Sequence, residues 1–393
     1  MKKILLSYVL LFSMLSQLAF AAHNSHNQLP VDIIRNTLAL TFAENGTLWR
    51  LLPTRDFIYV DFSTDNGNSY SKPSKVNKQA QKISAWPENP PAIAVTKSGR
   101  ILVLYYADTQ QKSTSYFSYS DDLGKTFSTP TLISDHATTD MHYMDKMLVD
   151  QQGDVHFFWH DRRNEGQNTG MGSGVLSLYH AKINKLNNDI SKNELINHFV
   201  CSCCRTAISL SPQGYPIILM RMAFPDGARD HVLLSKESAT QWRTPSRISD
   251  DHWVIDACPE HGPALAIDTQ GRSHLTWFSL SNKRQGIFYA YTDDYGITVS
   301  NPMPLGQLDY LPSHPDIAVA KQRVVVAWTE FDGKTTSLYI QQSFNKGESW
   351  QTAQKVASST SSTGYPILLA QNEKIFISWV TKATGHSLIE VIK

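Results

Sequence analysis

The sequence predicts an all-β chain folded as a β-propeller, in which four-stranded antiparallel sheets surround a central axis. Two observations lead to this fold class. A strand–turn–strand pattern recurs along the chain, and a short turn motif falls between its copies. Gly, Asn, Asp and Ser also recur at short intervals between apolar segments, which is typical of many short strands joined by turns.

The repeated pattern is a short alternating strand, a turn, and a second strand that ends close to an aromatic residue. Clear copies read PPAIAVTKSGRILVLYY (90–106), GPALAIDTQGRSHLTWF (262–278) and HPDIAVAKQRVVVAWTE (314–330). The same frame fits 145–161, 205–221 and 365–381, and more weakly 37–52. Seven copies predict seven blades of four strands each.

Two further expectations follow from this frame. The last copy supplies only three strands, so we expect Val31–Ile34 to add the fourth strand and close the ring. The aromatic residues near the end of the second strand should form the core between blades; they are Tyr105, Trp159, Trp277, Trp328 and Trp379.

The motif between the copies is an octet with the pattern S-x-D-x-G-x-[ST]-aromatic. It reads STDNGNSY (63–70), SDDLGKTF (120–127), TDDYGITV (292–299) and SFNKGESW (343–350), with SKESATQW (235–242) as a degraded copy. We expect the Asp or Asn side chain to hold the turn backbone and Gly to adopt positive φ. These octets predict turns, and we assign them no catalytic role.

The N-terminus predicts export. Two lysines precede a short apolar run that ends in Ala-Phe-Ala, which is the pattern of a secretory signal peptide covering residues 1–21. The mature chain, 22–393, should form a single domain that is periplasmic or secreted. No later segment is apolar enough to span a membrane, and a net charge of +1 gives no basic footprint for nucleic acid. We expect a monomer.

Three of the four cysteines lie within four residues. When the blades are aligned on their innermost strands, the equivalent residues are Ala92, Met147, Ala207, Ala264, Asp316 and Ile367. The loops just before these strands, here called lead-in loops, then carry all four cysteines in two adjacent blades. Cys201 is equivalent to Cys258, and Cys204 to His261. The preceding blade contributes Met141 and Met144, so these side chains should converge at one mouth of the channel.

One hypothesis for this cluster is a soft-metal site. Thiolate and thioether ligands select Cu(I), and thiolate with imidazole also suits zinc, so copper is the expected ion and zinc the alternative. The expected ligands are Cys201, Cys203, Cys204 and Cys258, with His261, Met141 and Met144 in support. Arg205 would offset the thiolate charge. The role would be metal handling or metal-dependent redox chemistry.

A second hypothesis is that the cysteines form disulfides and hold no cofactor. Four cysteines in an exported chain make this the default, with Cys201 and Cys258 as one reasonable pair. The remaining pair, Cys203 and Cys204, would be a strained bridge between neighbours. The protein would then be a disulfide-stapled propeller that binds a carbohydrate or a protein.

The octets resemble the Asp-box of the sialidase (BNR-repeat) superfamily. The Cys-x-Cys-Cys run followed by CPEHGP (258–263) is more similar to small exported sialidase-like proteins. The superfamily resemblance implies six blades as an alternative count and an exo-glycosidase for carboxylated sugars. It implies an arginine triad, a Tyr nucleophile with its Glu, and an Asp acid/base. Candidates on the cysteine face are Arg205, Arg221, Arg229, Tyr310, Glu260 and Asp145.

Overall fold

The computed structural model describes residues 29–108, 113–136, 142–165, 175–184, 189–238 and 240–392. The predicted signal peptide, 1–21, and Met141 lie outside these residues. The described chain consists of 28 strands and short connections. Its described part contains no helix with the length and apolar character needed to cross a membrane.

The described strands form successive antiparallel groups, here called units. The first two groups consist of β1 (Ala39–Phe42), β2 (Leu48–Pro53), β3 (Ile58–Ser63), β4 (Ser74–Lys75), and then β6 (Ala92–Val95), β7 (Ile101–Asp108), β8 (Ser113–Ser120), β9 (Thr131–Leu132). A short strand, β5 (Lys82–Ile83), pairs with the far end of β7. The next two groups are β10 (His142–Val149), β11 (Val155–Asp161), β12 (Val175–Ile183), β13 (Glu194–Cys201), and then β14 (Ala207–Leu210), β15 (Pro216–Ala223), β16 (Arg229–Ser235), β17 (Ser246–Arg247).

The chain then continues in the same way. The fifth and sixth groups are β18 (Ala264–Ile267), β19 (Ser273–Leu280), β20 (Gln285–Thr292), β21 (Met303–Leu305), and then β22 (Ser313–Ala320), β23 (Arg323–Phe331), β24 (Thr336–Ser343), β25 (Gln354–Ser359). The last group has three strands, β26 (Ile367–Gln371), β27 (Lys374–Thr381) and β28 (Gly385–Val391). The innermost strands contact one another in chain order, and β26 contacts β1, so the sheets form a closed propeller.

The apolar core lies between neighbouring units. Each major cluster of buried side chains draws its members from two successive units, and one such cluster joins the last unit to the first. The predicted inter-blade aromatics are confirmed in these clusters, at Tyr105, Trp159, Trp277, Trp328 and Trp379. Burial of these large rings is the main term that holds one sheet against the next.

The four octets form the same turn. In the first, the Asp65 carboxylate accepts hydrogen bonds from the Ser69 backbone N–H and hydroxyl, and Gly67 N–H donates to Ser63 Oγ. Gly67 has φ of 83°, as predicted for the fifth position. The turns at 120–127, 292–299 and 343–350 repeat these bonds. All four connect the third and fourth strands of a unit, on the face opposite the lead-in loops.

The prediction that Val31–Ile34 forms the closing strand is wrong. The chain makes a 3-10 turn at Ile34–Asn36, where Arg35 and Asn36 adopt positive φ, so no extended strand can form through this point. Val31 and Ile33 are instead packed against the apolar cluster between the last and first units. The segment therefore closes the ring by side-chain burial rather than by sheet hydrogen bonds.

The predicted equivalence of Met147 is also wrong, by one residue. Lys146 pairs with Phe158, the residue before Trp159, just as Ala92 pairs with Leu104 before Tyr105 and Asp316 pairs with Ala327 before Trp328. Lys146 therefore occupies the channel-facing position that Ala92 and Asp316 occupy in their own strands, and Met147 packs between units. The β-bulge between Tyr143 and Lys146 lies before this position and does not move it. An error of one residue exchanges the two faces, because side chains alternate along a strand.

A buried polar network joins the first unit to the last. Arg50 on β2 donates two hydrogen bonds to Asp61 on β3, at 2.9 and 2.7 Å, and its guanidinium lies 3.2 Å from the ring centre of Tyr70. A further N–H donates to His386 Nδ1 on β28, at 3.0 Å. Burial, together with the Arg50 charge, holds the pKa of His386 well below its usual range. The imidazole is therefore neutral and accepts from Arg50 with Nδ1.

We expect Arg50→Met to lower the free energy of unfolding by about 3–5 kcal/mol, because it leaves the Asp61 carboxylate buried without a cation. Chemical denaturation measures this loss. The matched control is Arg100→Met, which removes an ion pair to the half-exposed Asp121 and should cost less than about 1 kcal/mol. Equal losses in the two variants would contradict a special role for Arg50 in closure.

Candidate functional site

The lead-in loops converge at one mouth of the channel. A cavity of about 310 Å³ opens there and is lined by residues from every innermost strand described above. Most of its wall is apolar, with Pro and Ala prominent. Its polar and ionisable lining includes Lys146, Arg205, Asp316 and Tyr365. A concave, largely apolar pocket with a few convergent polar groups is the usual form of a small-ligand site. We call it the channel-mouth cavity.

An ion pair with a fully buried carboxylate holds the loops around this cavity. Glu88, in the lead-in loop of β6, accepts from the Arg205 backbone N–H at 2.9 Å, from Arg205 Nη1 at 3.0 Å and from the Gly262 N–H at 2.5 Å. The Arg205 guanidinium also donates to the carbonyls of Pro263 and Pro315. This one pair therefore fixes four lead-in loops relative to one another.

Lys146 is the available cation of the cavity. Its ammonium forms no hydrogen bond and no ion pair with any residue that the structure describes, although Glu88, Asp145 and Asp316 lie within electrostatic range. Burial, followed by the charge of Arg205, lowers the pKa of Lys146 to about 8. An ammonium without a partner, facing a cavity, is suited to receive an anionic group of a ligand.

A column of aromatic rings forms one side of the mouth. His261 stacks on His314, with ring centres 4.4 Å apart, and His314 stacks on Tyr365 at 3.6 Å. Phe278 packs against the other side of His261, at 4.1 Å. Burial lowers the pKa of His261 to about 4 and holds the pKa of His314 well below its usual range, so both imidazoles are neutral at pH 7.

The Cys-x-Cys-Cys run forms a compact thiol cluster beside this cavity. Cys201 Sγ lies 3.7 Å from Cys203 Sγ and 4.0 Å from Cys204 Sγ, and all three sulfurs lie within 4.8 Å of one another. Cys201 and Cys204 are buried and Cys203 is half-buried. Disulfide sulfurs would be about 2 Å apart, and none of the four cysteines is in a disulfide.

Two arginines make the cluster electropositive. Arg229 Nη1 donates to Cys201 Sγ at 3.4 Å, and Arg221 adds a second nearby positive charge. Hydrogen bonds from the Cys203 and Cys204 thiols, aided by these charges, hold the pKa of Cys201 well below its usual range. Burial and the Cys201 charge raise the pKa of Cys204, so Cys201 is the sulfur that ionises first. Arg205 does not supply this charge as expected, because Glu88 binds its guanidinium.

The geometry of the three sulfurs fits a thiophilic metal ion. A metal–sulfur bond of about 2.3 Å separates two ligand sulfurs by roughly 3.8 Å at a tetrahedral ion and roughly 4.0 Å at a trigonal one. The Cys201–Cys203 and Cys201–Cys204 separations, 3.7 and 4.0 Å, are close to these values. The buried His231 also lies near Cys201, and its Nε2 has no hydrogen-bond partner among the described residues.

The other predicted ligands lie outside this trio. Cys258 is exposed and does not belong to the described three-sulfur group. His261 belongs to the aromatic column, where its Nδ1–H donates to the Pro259 carbonyl. Met144 is buried in the β10 bulge with φ of 55°. The predicted ligand Met141 cannot be placed.

The six residues proposed for a glycosidase do not form one arginine-based pocket. Arg221 is buried, and its guanidinium donates to the carbonyls of Arg229, His261 and Phe278. Arg229 is committed to Cys201 and to the Ile255 carbonyl. Tyr310 and Glu260 are exposed on the lead-in loops. Asp145 is buried against the Ser115 hydroxyl, and burial raises its pKa to about 7.

Two residues central to this mouth were missed by the sequence reasoning. Glu88 lies in PENPPA (87–92), which repeats the P-E-x-x-P-A spacing of PEHGPA (259–264), so the internal repeat contained a signal for it. The same spacing gives an exposed Glu260 and a buried Glu88, because only the latter faces Arg205. The repeat also contained a signal for Lys146, because alignment of Trp159 with Tyr105 makes Lys146, and not Met147, the equivalent of Ala92.

The comparisons with known proteins show the fold. No protein-family model and no curated protein matches the chain. A polysaccharide lyase is similar over 94% of each chain, with a TM-score of 0.58 and 11% identity. An ulvan lyase bound to a GlcA-containing saccharide is similar over 92% of each chain, with a TM-score of 0.57 and 11% identity. Trypanosoma rangeli sialidase has a TM-score of 0.51 and 11% identity, over 95% of this chain and 59% of the sialidase.

These neighbours share the propeller architecture with this chain, at identities that carry no statement about its site. The similarity to a sialidase and to two lyases shows the propeller fold alone. It does not extend to the Cys-x-Cys-Cys run, so the resemblance to small exported sialidase-like proteins stays a prediction.

Gly262→Ala should lower the free energy of unfolding by about 1–3 kcal/mol, the usual cost of overpacking a closed site. Its Cβ would lie 2.6 and 2.7 Å from the Arg205 carbonyl oxygen and amide nitrogen, so the Glu88–Arg205 pair must move. Thermal and chemical denaturation measure the loss. Gly99→Ala, at an open turn position with φ of 85°, is the control for backbone strain alone. A smaller loss at Gly262 than at Gly99 would contradict the close packing.

Proposed function

We propose that the protein acts on carbohydrate by binding a carboxylate-bearing sugar unit in the channel-mouth cavity. The observation that carries this proposal is the Lys146 ammonium, which has no partner among the described residues and faces a cavity of about 310 Å³. Pockets of this volume hold small ligands, and a sugar acid supplies the anion that Lys146 lacks. Activity on sugars also agrees with the fold shared with the sialidase and the lyases.

The residues of the cavity have distinct roles in this proposal. Lys146 binds the carboxylate of the sugar, and the ring of Tyr365 supplies an apolar face beside it. Burial raises the pKa of Asp316, which accepts a hydrogen bond from a sugar hydroxyl when ionised and donates one to it when protonated. Arg205 acts indirectly, because it holds the loops through Glu88. Export, predicted from residues 1–21, would bring the protein into contact with such sugars.

Lys146→Met should weaken binding of sialic acid or glucuronic acid by about tenfold to a hundredfold, the range expected for a hydrogen bond to a charged group. Calorimetry or ligand-detected NMR measures this, with the neutral methyl glucoside as the ligand control. Lys374→Met removes an equal charge from a half-exposed outer position and should leave binding unchanged. Unchanged binding of the acids by Lys146→Met would contradict the proposal. Turnover of sialosides and uronides is assayed on the same samples.

The thiol cluster supports a second function, which is the binding or handling of a soft metal ion, with copper preferred over zinc. Three thiolates around Cu(I) leave two negative charges, which the two arginine charges beside the cluster would balance. A divalent ion would leave an excess positive charge in a buried site. Cys201, Cys203 and Cys204 would hold the ion. The site would then serve metal handling, or the bound ion would supply electron transfer.

Cys203→Ser should reduce Cu(I) binding by more than the roughly 10–100-fold that an outer-shell partner usually costs, because it removes a direct ligand. Elemental analysis and competition with a Cu(I) chelator, both without oxygen, measure this. Cys258→Ser is the matched control and should retain copper if the trio alone binds it. A wild-type protein that binds neither copper nor zinc would contradict the metal function and leave the carbohydrate proposal intact.

A further inference from the structure

A second cavity, of about 470 Å³, lies on the octet face, opposite the channel-mouth cavity. Four of its lining side chains form a continuous chain of contacts. Asp150 Oδ2 lies 3.2 Å from His156 Nε2, and His156 Nδ1 lies 2.9 Å from His180 Nε2. His180 Nδ1 then lies 3.3 Å from Glu194 Oε2. The chain joins the β10–β11 turn to β11, β12 and the first residue of β13.

The two imidazoles face each other through a hydrogen bond rather than a shared metal ion. Their ring centres are 5.2 Å apart, which is the N···N distance plus the distance from each nitrogen to its ring centre. The two nitrogens therefore lie on the line between the rings, and the ring planes differ by only 18°. Two imidazoles that bind one ion direct their lone pairs at a third point. Here the lone pair of one nitrogen points at the other.

The chain has more contacts than protons when both rings are neutral. Three contacts each need one proton, and ionised Asp150 and Glu194 supply none. Two neutral imidazoles carry two N–H groups in total. One contact must then join two acceptors, which is unfavourable in a partly buried site. A third proton would complete all three hydrogen bonds and give the ring pair one positive charge.

The incomplete contact falls at the Glu194 end. Asp150 Oδ1 accepts the Asp154 backbone N–H, and Oδ2, on a side chain that is only 10% exposed, depends on His156. The Glu194 side chain is 44% exposed and can bind water. His156 Nε2–H therefore donates to Asp150, and His180 Nε2–H donates to His156 Nδ1. His180 Nδ1 is left as a lone pair that faces the Glu194 carboxylate.

We propose that Asp150, His156, His180 and Glu194 form a single proton-binding site. At neutral pH the site holds two protons in three contacts, and on acidification it binds one more proton, shared by both rings. Proton uptake closes the His180–Glu194 contact and fastens the start of β13 to β12.

The surrounding charges oppose this uptake until the solution is acidic. Burial lowers the pKa of His156 to about 4 and also lowers the pKa of His180. Lys182 and Lys236 oppose a further positive charge, whereas Asp150 and Glu194 favour it. Asp154 is engaged by Lys182, and Lys192 also lines the cavity. Both rings are therefore neutral at pH 7.

The sign of the effect on stability follows from these pKa values. The folded pair binds its proton below the ordinary His pKa of about 6.5, so the unfolded chain holds more protons between the two values. Stability is full above the unfolded pKa and decreases as the pH falls towards the folded pKa. The closed Glu194 contact offsets part of this loss.

The test is histidine-selective ¹⁵N NMR of the whole protein between pH 3.5 and 8. We expect the two rings to titrate together, with one proton per molecule and a midpoint below that of an ordinary histidine. Glu194→Gln supplies an amide N–H to His180 Nδ1 in place of the missing proton. It should therefore lower the midpoint by about one pKa unit or more.

Two further variants complete the design. His156→Gln should abolish the shared step, and His252→Gln, at an exposed histidine, should leave it unchanged. If His156→Gln does not fold, the surface variant Glu194→Gln still decides the question. Independent titration of the two rings near pH 6.5, or a pair that is already charged at pH 8, would overturn the proposal. So would micromolar Zn²⁺ that shifts the signals of both rings.

Discussion

The candidate site depends on one buried carboxylate. Glu88 has no solvent contact, and a lone ionised carboxylate would be too costly to bury. Arg205 stabilises it by donating from both its guanidinium and its backbone N–H. The Gly262 N–H donates a third hydrogen bond. The same guanidinium donates to the carbonyl of Pro263, next to Gly262, and to the carbonyl of Pro315 on β22. The positions of the loops around the channel mouth therefore depend on the ion pair and hydrogen bonds of Glu88. The packed sheets behind these loops hold them in place.

The positively charged side chains at the mouth differ in whether they already have a partner inside the protein. Arg205 is neutralised by Glu88, and Arg221 is surrounded by backbone carbonyls. Arg229 donates a hydrogen bond to Cys201 Sγ, the sulfur that ionises first in the thiol cluster. Three arginines on one face of the propeller suggested a carboxylate-binding triad in the sequence, yet each has a partner inside the protein. In the carbohydrate proposal the external anion is received by Lys146, whose side chain has no such partner in the described part of the chain. Counting charged residues on a face is thus a weaker guide than asking which of them are already paired.

The sequence was informative wherever a short-range pattern determines structure. Alternation and turn residues predicted the strands, the octets predicted their turns, and aromatic positions predicted the core between units. It failed where distant residues decide. The burial of Glu88 depends on Arg205, more than a hundred residues away. Lys146 is a different case, because its channel-facing position follows from aligning Trp159 with Tyr105. Its lack of a partner among the described residues depends on the other units. Val31–Ile34 has the apolar character of a strand, but positive φ at Arg35 turns the chain away.

The thiol cluster and the channel-mouth cavity share a single peptide segment, so they are mechanically linked. Cys204 is followed by Arg205 and then by Thr206, whose hydroxyl is 2.7 Å from the buried His160 Nε2. A change in the backbone position of Cys204 would also move Arg205, the next residue, and so disturb the ion pair with Glu88. Cys203 is only half-buried and precedes this anchored stretch, so its side chain can change with less effect on the loops. A loss of sugar binding on removal of Cys204 would therefore have two explanations, displacement of the loop and loss of the metal. The same loss on removal of Cys203 would show that metal binding at the thiol cluster affects the channel-mouth cavity.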